Sequence, residues 1–139
     1  MPWMFQDYIA IVHSLLAITT PFALFSTYAT AWEMMHSLTT SKVTHVFVHA
    51  DLLLRLLPVA RKIGIPEDHI YILEGRPRTI PAPTSFEQMI QNVRNNNIPR
   101  EPVREAGKDT LAYLVFSSGT SGLPKGEQPH FLLLLFTRI

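Results

Sequence analysis

Short apolar runs and amphipathic helical stretches alternate along this chain, and that alternation limits its fold more than any other feature. Val43–Val48 is short, β-branched and aromatic, which reads as a buried strand. Residues 51–63 follow as an amphipathic helix with Leu53, Leu56, Leu57, Ala60 and Ile63 on one face, and Gly64 ends it. Residues 70–73 read as the next short strand, and Glu74-Gly75 starts the turn out of it. Thr84-Ser85-Phe86-Glu87 has the form of a capping box and places a helix as far as Val93. Residues 95–109 are polar, carry Pro99 and Pro102 and form a connecting loop, after which 111–116 is a further strand. Strand and helix at this spacing favour parallel β-α-β units, so the expected class is α/β with a layer of parallel sheet.

Upstream, residues 8–17 are apolar enough for a buried helix, and Pro21 marks the break after it. Thr30-Ala31-Trp32-Glu33 is another capping box, so a helix should run from Ala31 to Ser41. No charged residue lies between Asp7 and Glu33, and a stretch of roughly 25 residues is long enough to cross a bilayer. Thr19-Thr20-Pro21 in its middle and the hydroxyls of Ser26, Thr27 and Thr30 dilute its hydrophobicity and argue against a spanning helix. Asp7 sits where a secretory signal has its basic region, which argues against a leader.

The segment 114–126, LVFSSGTSGLPKG, is the most informative for function. A polyphosphate is best held by backbone N–H groups that approach closely, by hydroxyl donors and by a cation. Gly119 and Gly122 permit positive φ and leave no Cβ in the way, while Ser117, Ser118, Thr120 and Ser121 add four hydroxyls. Pro124 stiffens the exit and Lys125 supplies the charge. In the P-loop the lysine directly follows glycine and precedes a hydroxyl, whereas here Pro124 precedes Lys125 and Gly126 follows it, which argues against an NTPase of that type. The bland alternative is a Gly/Ser-rich surface turn that binds nothing.

Leu114, then Ser117-Ser118-Gly119-Thr120-Ser121-Gly122, then Pro124-Lys125-Gly126 resembles the AMP-binding signature of the adenylate-forming superfamily. That superfamily includes acyl-CoA synthetases, 4-coumarate–CoA ligases, luciferases and peptide-synthetase adenylation domains. A second, weaker resemblance to 4-coumarate–CoA ligase-like enzymes lies in Ser41-Lys42-Val43, Val46-Phe47-Val48-His49 and Ala60-Arg61-Lys62-Ile63-Gly64-Ile65-Pro66. The resemblance implies a partial AMP-binding domain over 1–126 and makes the apolar region 8–32 a buried helix followed by an extended segment. It also implies ATP, Mg²⁺ and coenzyme A as cofactors and a small carboxylic acid as the other substrate. Ser117, Ser118, Gly119, Thr120, Ser121, Gly122 and Lys125 would bind the nucleotide, and no residue of the chain is assigned a catalytic role.

The family's enzymes are several times longer than this chain of 139 residues, so the expectation is a piece of the large N-terminal domain with little or no ligase activity of its own. By resemblance the adenine pocket, the acid that holds the ribose, the hinge and the small domain with its catalytic lysine lie elsewhere. Residues 127–139 depart from the family. Glu127-Gln128-Pro129-His130 and the apolar run 131–136 read as foreign sequence, and the run is expected to be an aggregation site if nothing covers it. A further departure is Ser26-Thr27, where relatives commonly show an Asn-Pro pair. Both departures weigh against native folding.

Twelve Lys+Arg stand against 11 Asp+Glu, a net charge of +1 that gives no electrostatic reason to expect nucleic acid or an anionic membrane as partner. With no cysteine there is neither a disulfide framework nor a thiolate metal site. His45 and His49 are four residues apart on or beside a strand, a span of roughly 13 Å, too far for both rings to meet one metal. His13 and His36 read as packing residues, Arg76 and Arg78 receive no role, and the loop serines have no base nearby in sequence. Two other classes stay open: a non-catalytic truncated or pseudogene product, and a membrane-associated protein using residues 8–32. The expected location is the cytoplasm, since Thr137-Arg138-Ile139 is not a peroxisomal signal of the SKL type.

Overall fold

Val43–Val48 (β2) sends Val46 and Val48 to one side and Phe47 to the other, and all three are buried, which requires helices on both faces of its sheet. The computed structural model describes residues 6–77, 81–116 and 133–137. Along the chain run α1 (Gln6–Ala17), β1 (Phe22–Phe25), α2 (Ala31–Thr40), β2, α3 (Leu53–Ile63), β3 (Ile70–Ile72), α4 (Phe86–Asn95), β4 (Tyr113–Val115) and β5 (Leu133–Thr137). Short 3-10 turns at Ala50–Leu52 and Glu67–His69 lead into α3 and β3.

The sheet has the order β3-β2-β5-β1-β4. β1 pairs β4 and β2 pairs β3 in parallel, while β5 runs antiparallel to both β1 and β2, so the first four strands all point one way. Ala23 and Phe25 join Val46, Val48, Ile70 and Ile72 against Met34 and Leu38 of α2 and Leu53, Leu56, Val59 and Ala60 of α3. On the other face Phe22, Phe47 and Leu73 meet Ile11 and Leu15 of α1, with Phe86 and Met89 of α4 packed beside them. The result is an α/β layer with parallel strands between two helical layers.

Local signals account for most boundaries. At α2 both halves of the capping box form: Thr30 Oγ1 accepts from Glu33 N at 3.2 Å, and Glu33 Oε2 accepts from Thr30 N at 2.7 Å. Gly64 ends α3 at φ 81°, where a Cβ would be strained. Val59 joins the buried face of α3, whereas Leu57 and Ile63 reach the core only in part.

One expectation is corrected, the start of α4, while the reading of 8–32 as a helix followed by an extended segment holds and the terminal run finds strand partners. The box at α4 starts one residue later than Thr84: Thr84 O accepts from Ile72 N at 2.9 Å, which ties residue 84 to β3, and Ser85 caps the helix with Gln88 as its partner. The uncharged region 8–32 is divided among α1, β1 and the start of α2, and among the described residues no helix is long and apolar enough to cross a membrane. The apolar run 131–136 is not left wholly bare: from Leu133 onward its backbone is paired on both sides, by β1 and β2, which adds an antiparallel strand to the parallel layer. Phe131 and Leu132 lie outside the described residues.

Leu56 is fully buried against both sheet and helix, whereas Leu54 on the same helix is 62% exposed. Leu56→Ala should cost about 2–5 kcal/mol of unfolding free energy, and Leu54→Ala under about 0.5 kcal/mol, as measured by urea denaturation.

Candidate functional site

The carboxyl ends of the four parallel strands lie at one edge of the sheet, so the segments that follow them gather there: Ser26 to Ala29 after β1, His49 and Ala50 after β2, Glu74 and Gly75 after β3, and Phe116 after β4. In open α/β sheets this edge is where ligands bind.

The turn after β1 is closed by its own hydroxyl and held by a neighbouring helix. Ser26 Oγ accepts from Tyr28 N at 3.2 Å, and Ser26 O accepts from Ala29 N at 3.1 Å, so the Ser26-Thr27 pair forms a local turn in its own way. From α3 the Arg55 guanidinium donates to Thr27 O at 3.1 Å and to Ala29 O at 2.7 Å. These charge-assisted bonds connect residues 28 and 26 positions apart in the chain.

After β2 and β3 the two turns press on each other. Ala50 N donates to Glu74 O and Leu73 N to Val48 O, each at 2.9 Å. Gly75 has φ 84°, and a Cβ on it would stand 2.9 Å from Ala50 Cβ and 3.2 Å from the ring atoms Cε1 and Nε2 of His49. Only glycine suits both the backbone angle and this approach.

His49 Nδ1 accepts from Asp51 N at 3.2 Å, which identifies a neutral ring protonated at Nε2. Asp51 Oδ2, 3.6 Å from the same Nδ1, therefore acts as a nearby charge and not as an ion-pair partner. Burial holds His49 below the usual imidazole range, and Asp51 opposes that only in part. Glu74 is half-buried, and its Oε1 finds no hydrogen-bond partner among the described residues. Burial first, and the Asp7 carboxylate second, raise Glu74 above the usual carboxylate range.

The sequence-predicted nucleotide residues Ser117, Ser118, Gly119, Thr120, Ser121, Gly122 and Lys125 lie outside the described residues. Their point of departure is described. Phe116 stacks on Phe25 with ring centroids 4.7 Å apart, and Tyr113 stacks on Phe22 at 5.6 Å. Leu133, on the far side of 117–132, pairs with Phe25. Both ends of that segment are therefore tied at the carboxyl edge, on opposite flanks of β1.

His45 and His49 are parted by their surroundings, His45 stacking on His69 at 4.1 Å while His49 lies against Gly75. Arg55 and Glu74 were not legible as site-edge residues, because their partners are distant in the chain. A rule that attends to the residues just after each parallel strand would have drawn notice to Glu74, Gly75 and His49.

A layer of parallel strands flanked by helices, whose connecting segments gather at one carboxyl edge, places the chain in the α/β class. The family model for AMP-binding enzymes matches residues 3–128, and the chain belongs to that family. It is 28% identical over 98 residues to the acyl-CoA ligase azaF of Aspergillus niger, a match covering 69% of this chain and 18% of that protein. To the acyl-CoA ligases AKT1 and AFT1-1 of Alternaria alternata it is 25% and 24% identical over 123 residues, 86% of this chain and 21% of each of those proteins. The chain thus spans about a fifth of the length of the curated relatives it matches. No solved structure matches it.

The direction of the Glu74 shift sets a test. Its folded-state value lies above the unfolded one, so ionised Glu74 costs stability at neutral pH, and that cost disappears once both states are protonated. Glu74→Gln should raise the urea midpoint at neutral pH, with the gain fading as the pH falls towards 4.5 and absent below it. The imidazoles act oppositely: burial lowers both His45 and His49 from 6.5, so their contribution is complete above that value and declines as the pH falls through it. Double substitution of His45 and His49 by Gln should flatten the fall in wild-type midpoint below 6.5.

Proposed function

We propose that this chain supplies the phosphate-holding part of an ATP-dependent carboxylate–CoA ligase. In that reaction a carboxylate attacks the α-phosphate of ATP, pyrophosphate leaves, and the acyl group then passes to the thiol of coenzyme A. The observation that carries the reading is the family match over residues 3–128, which includes the whole of the segment 114–126. The relatives at 24–28% identity are acyl-CoA ligases by name, which supports this branch of the family over its other members.

The residues divide the work by chemistry. Backbone N–H groups around Gly119 and Gly122 and the hydroxyls of Ser117, Ser118, Thr120 and Ser121 donate to the β- and γ-phosphate oxygens. Lys125 offsets the charge that gathers on the departing pyrophosphate. Mg²⁺ bound to the nucleotide supplies further charge neutralisation; among the described residues no group of three or more His, Asp or Glu is placed to hold a metal. The stacked pair Phe116–Phe25 holds the start of the loop at the sheet edge, so less ordering is required when a nucleotide binds. Turnover needs the adenine, ribose and acyl sites as well, and the direct readout for this chain is nucleotide binding.

Lys125→Ala should weaken ATP affinity about tenfold to a hundredfold in an equilibrium titration, the worth of one contact between charged groups. The unfolding midpoint should stay unchanged. Superimposable titration curves for wild type and variant would remove the phosphate role from this lysine.

A further inference from the structure

Among the described residues β5 alone runs against its neighbours, and it is the only backbone link between the parallel pairs β4-β1 and β2-β3. Take it away and each pair turns one bare strand edge towards the other. Those edges match. Through β5 the level rows read Phe22–Phe136–His45, Ala23–Leu135–Val46 and Leu24–Leu134–Phe47. Ala23 and Val46 belong to one core, while Phe22, Leu24 and Phe47 belong to the other. β1 and β2 brought together at the same level would therefore keep each of these side chains on its present face.

Connectivity points the same way. The β1-α2-β2 unit joins two parallel strands through a helix, and strands so joined are most often neighbours. Met34 and Leu38 of α2 already share a core with residues of both strands and of α3, so both strands face the same helical layer in either arrangement. The present fit of β5 is imperfect: its ladder with β2 is broken by an irregularity between Val43 and His45. With β5 inserted the sheet gains one ladder, at the cost of holding β1 and β2 one strand spacing, about 4.8 Å, further apart.

We infer that the sheet has two arrangements: the five-stranded one, with Leu133–Thr137 in the slot, and a four-stranded, all-parallel one of order β3-β2-β1-β4 in which β1 pairs directly with β2. β5 is an exchangeable insert. This holds whether or not the chain binds ATP.

The chain has no cysteine, so introduced pairs report pairing without background. Under mild oxidation Ala23→Cys with Leu135→Cys, and Val46→Cys with Leu135→Cys, join register partners and should form monomeric disulfides. Ala23→Cys with Val46→Cys places the thiols across β5, about 9–10 Å apart in backbone terms, beyond the roughly 7 Å a disulfide spans. This pair should close slowly, several-fold faster when Leu134→Pro weakens the insert, and its product should show fast amide exchange at Leu133–Thr137. Ala23→Cys with Ile70→Cys lies on the same level row but one strand further on, and should stay reduced throughout.

Three results would overturn the inference. One is an Ala23/Val46 pair that never closes, with or without Leu134→Pro, while both β5 pairs do. Another is covalent dimers from the β5 pairs, which make the occupant another copy's strand. The last is an Ala23/Ile70 pair that closes as fast as Ala23/Val46, which makes closure a product of unfolding.

Discussion

Everything in this fold depends on β1 and β2 being buried on both faces. A strand in that position must carry two separate apolar patterns, one for each helical layer, and β2 satisfies this with Val46 and Val48 on one side and Phe47 on the other. One level row shows the constraint across the whole sheet: Ile70, Val46, Leu135, Ala23 and Leu114 stand side by side. Of these, Ile70, Val46 and Ala23 are buried in the core shared with α2 and α3, and Leu114 packs against it. A polar residue at Ala23 or Val46 would have no partner on either layer.

Because the four strands are parallel, their carboxyl ends coincide, and every segment that leaves them starts on one side of the sheet. The edge is organised by contacts that reach across the sequence. Arg55 holds the turn after β1 through two backbone carbonyls, and Gly75 lets the turn after β3 close onto His49 and Ala50. Phe25 carries Phe116 on its ring, immediately before the glycine- and hydroxyl-rich stretch of the sequence. Sheet and turns are thus one construction: the core fixes the edge, and the edge fixes the position of Phe116.

Much of this was legible in the residues. The capping box at Thr30, the strand at Val43–Val48, the helix stop at Gly64 and the α/β class all follow from local chemistry that tertiary structure did not override. The start of α4 was misplaced by one residue because a backbone bond from Ile72 claims Thr84, a fact that exists only once β3 is in place. The partners of Arg55 and the crowding at Gly75 were hidden for the same reason. For the apolar run near the end of the chain, composition indicated a strand-forming hazard. It could not indicate that the edges of β1 and β2 were the strands it would meet. The assignment of Ser117 to Gly122 and Lys125 rests on pattern and on family membership, since these residues lie outside the described structure.

The proposed function makes a geometric claim: a nucleoside triphosphate would be held at the carboxyl edge of the parallel strands, beside the stacked pair Phe25 and Phe116. A crystal structure of the chain with a non-hydrolysable ATP analogue and Mg²⁺ tests it most directly. The prediction is phosphate density beyond the ends of β1 and β4, within hydrogen-bonding distance of the amides around Gly119 and Gly122 and of Lys125 Nζ. Triphosphate bound at the opposite edge of the sheet, or bound at this edge without contact to that segment, would contradict it.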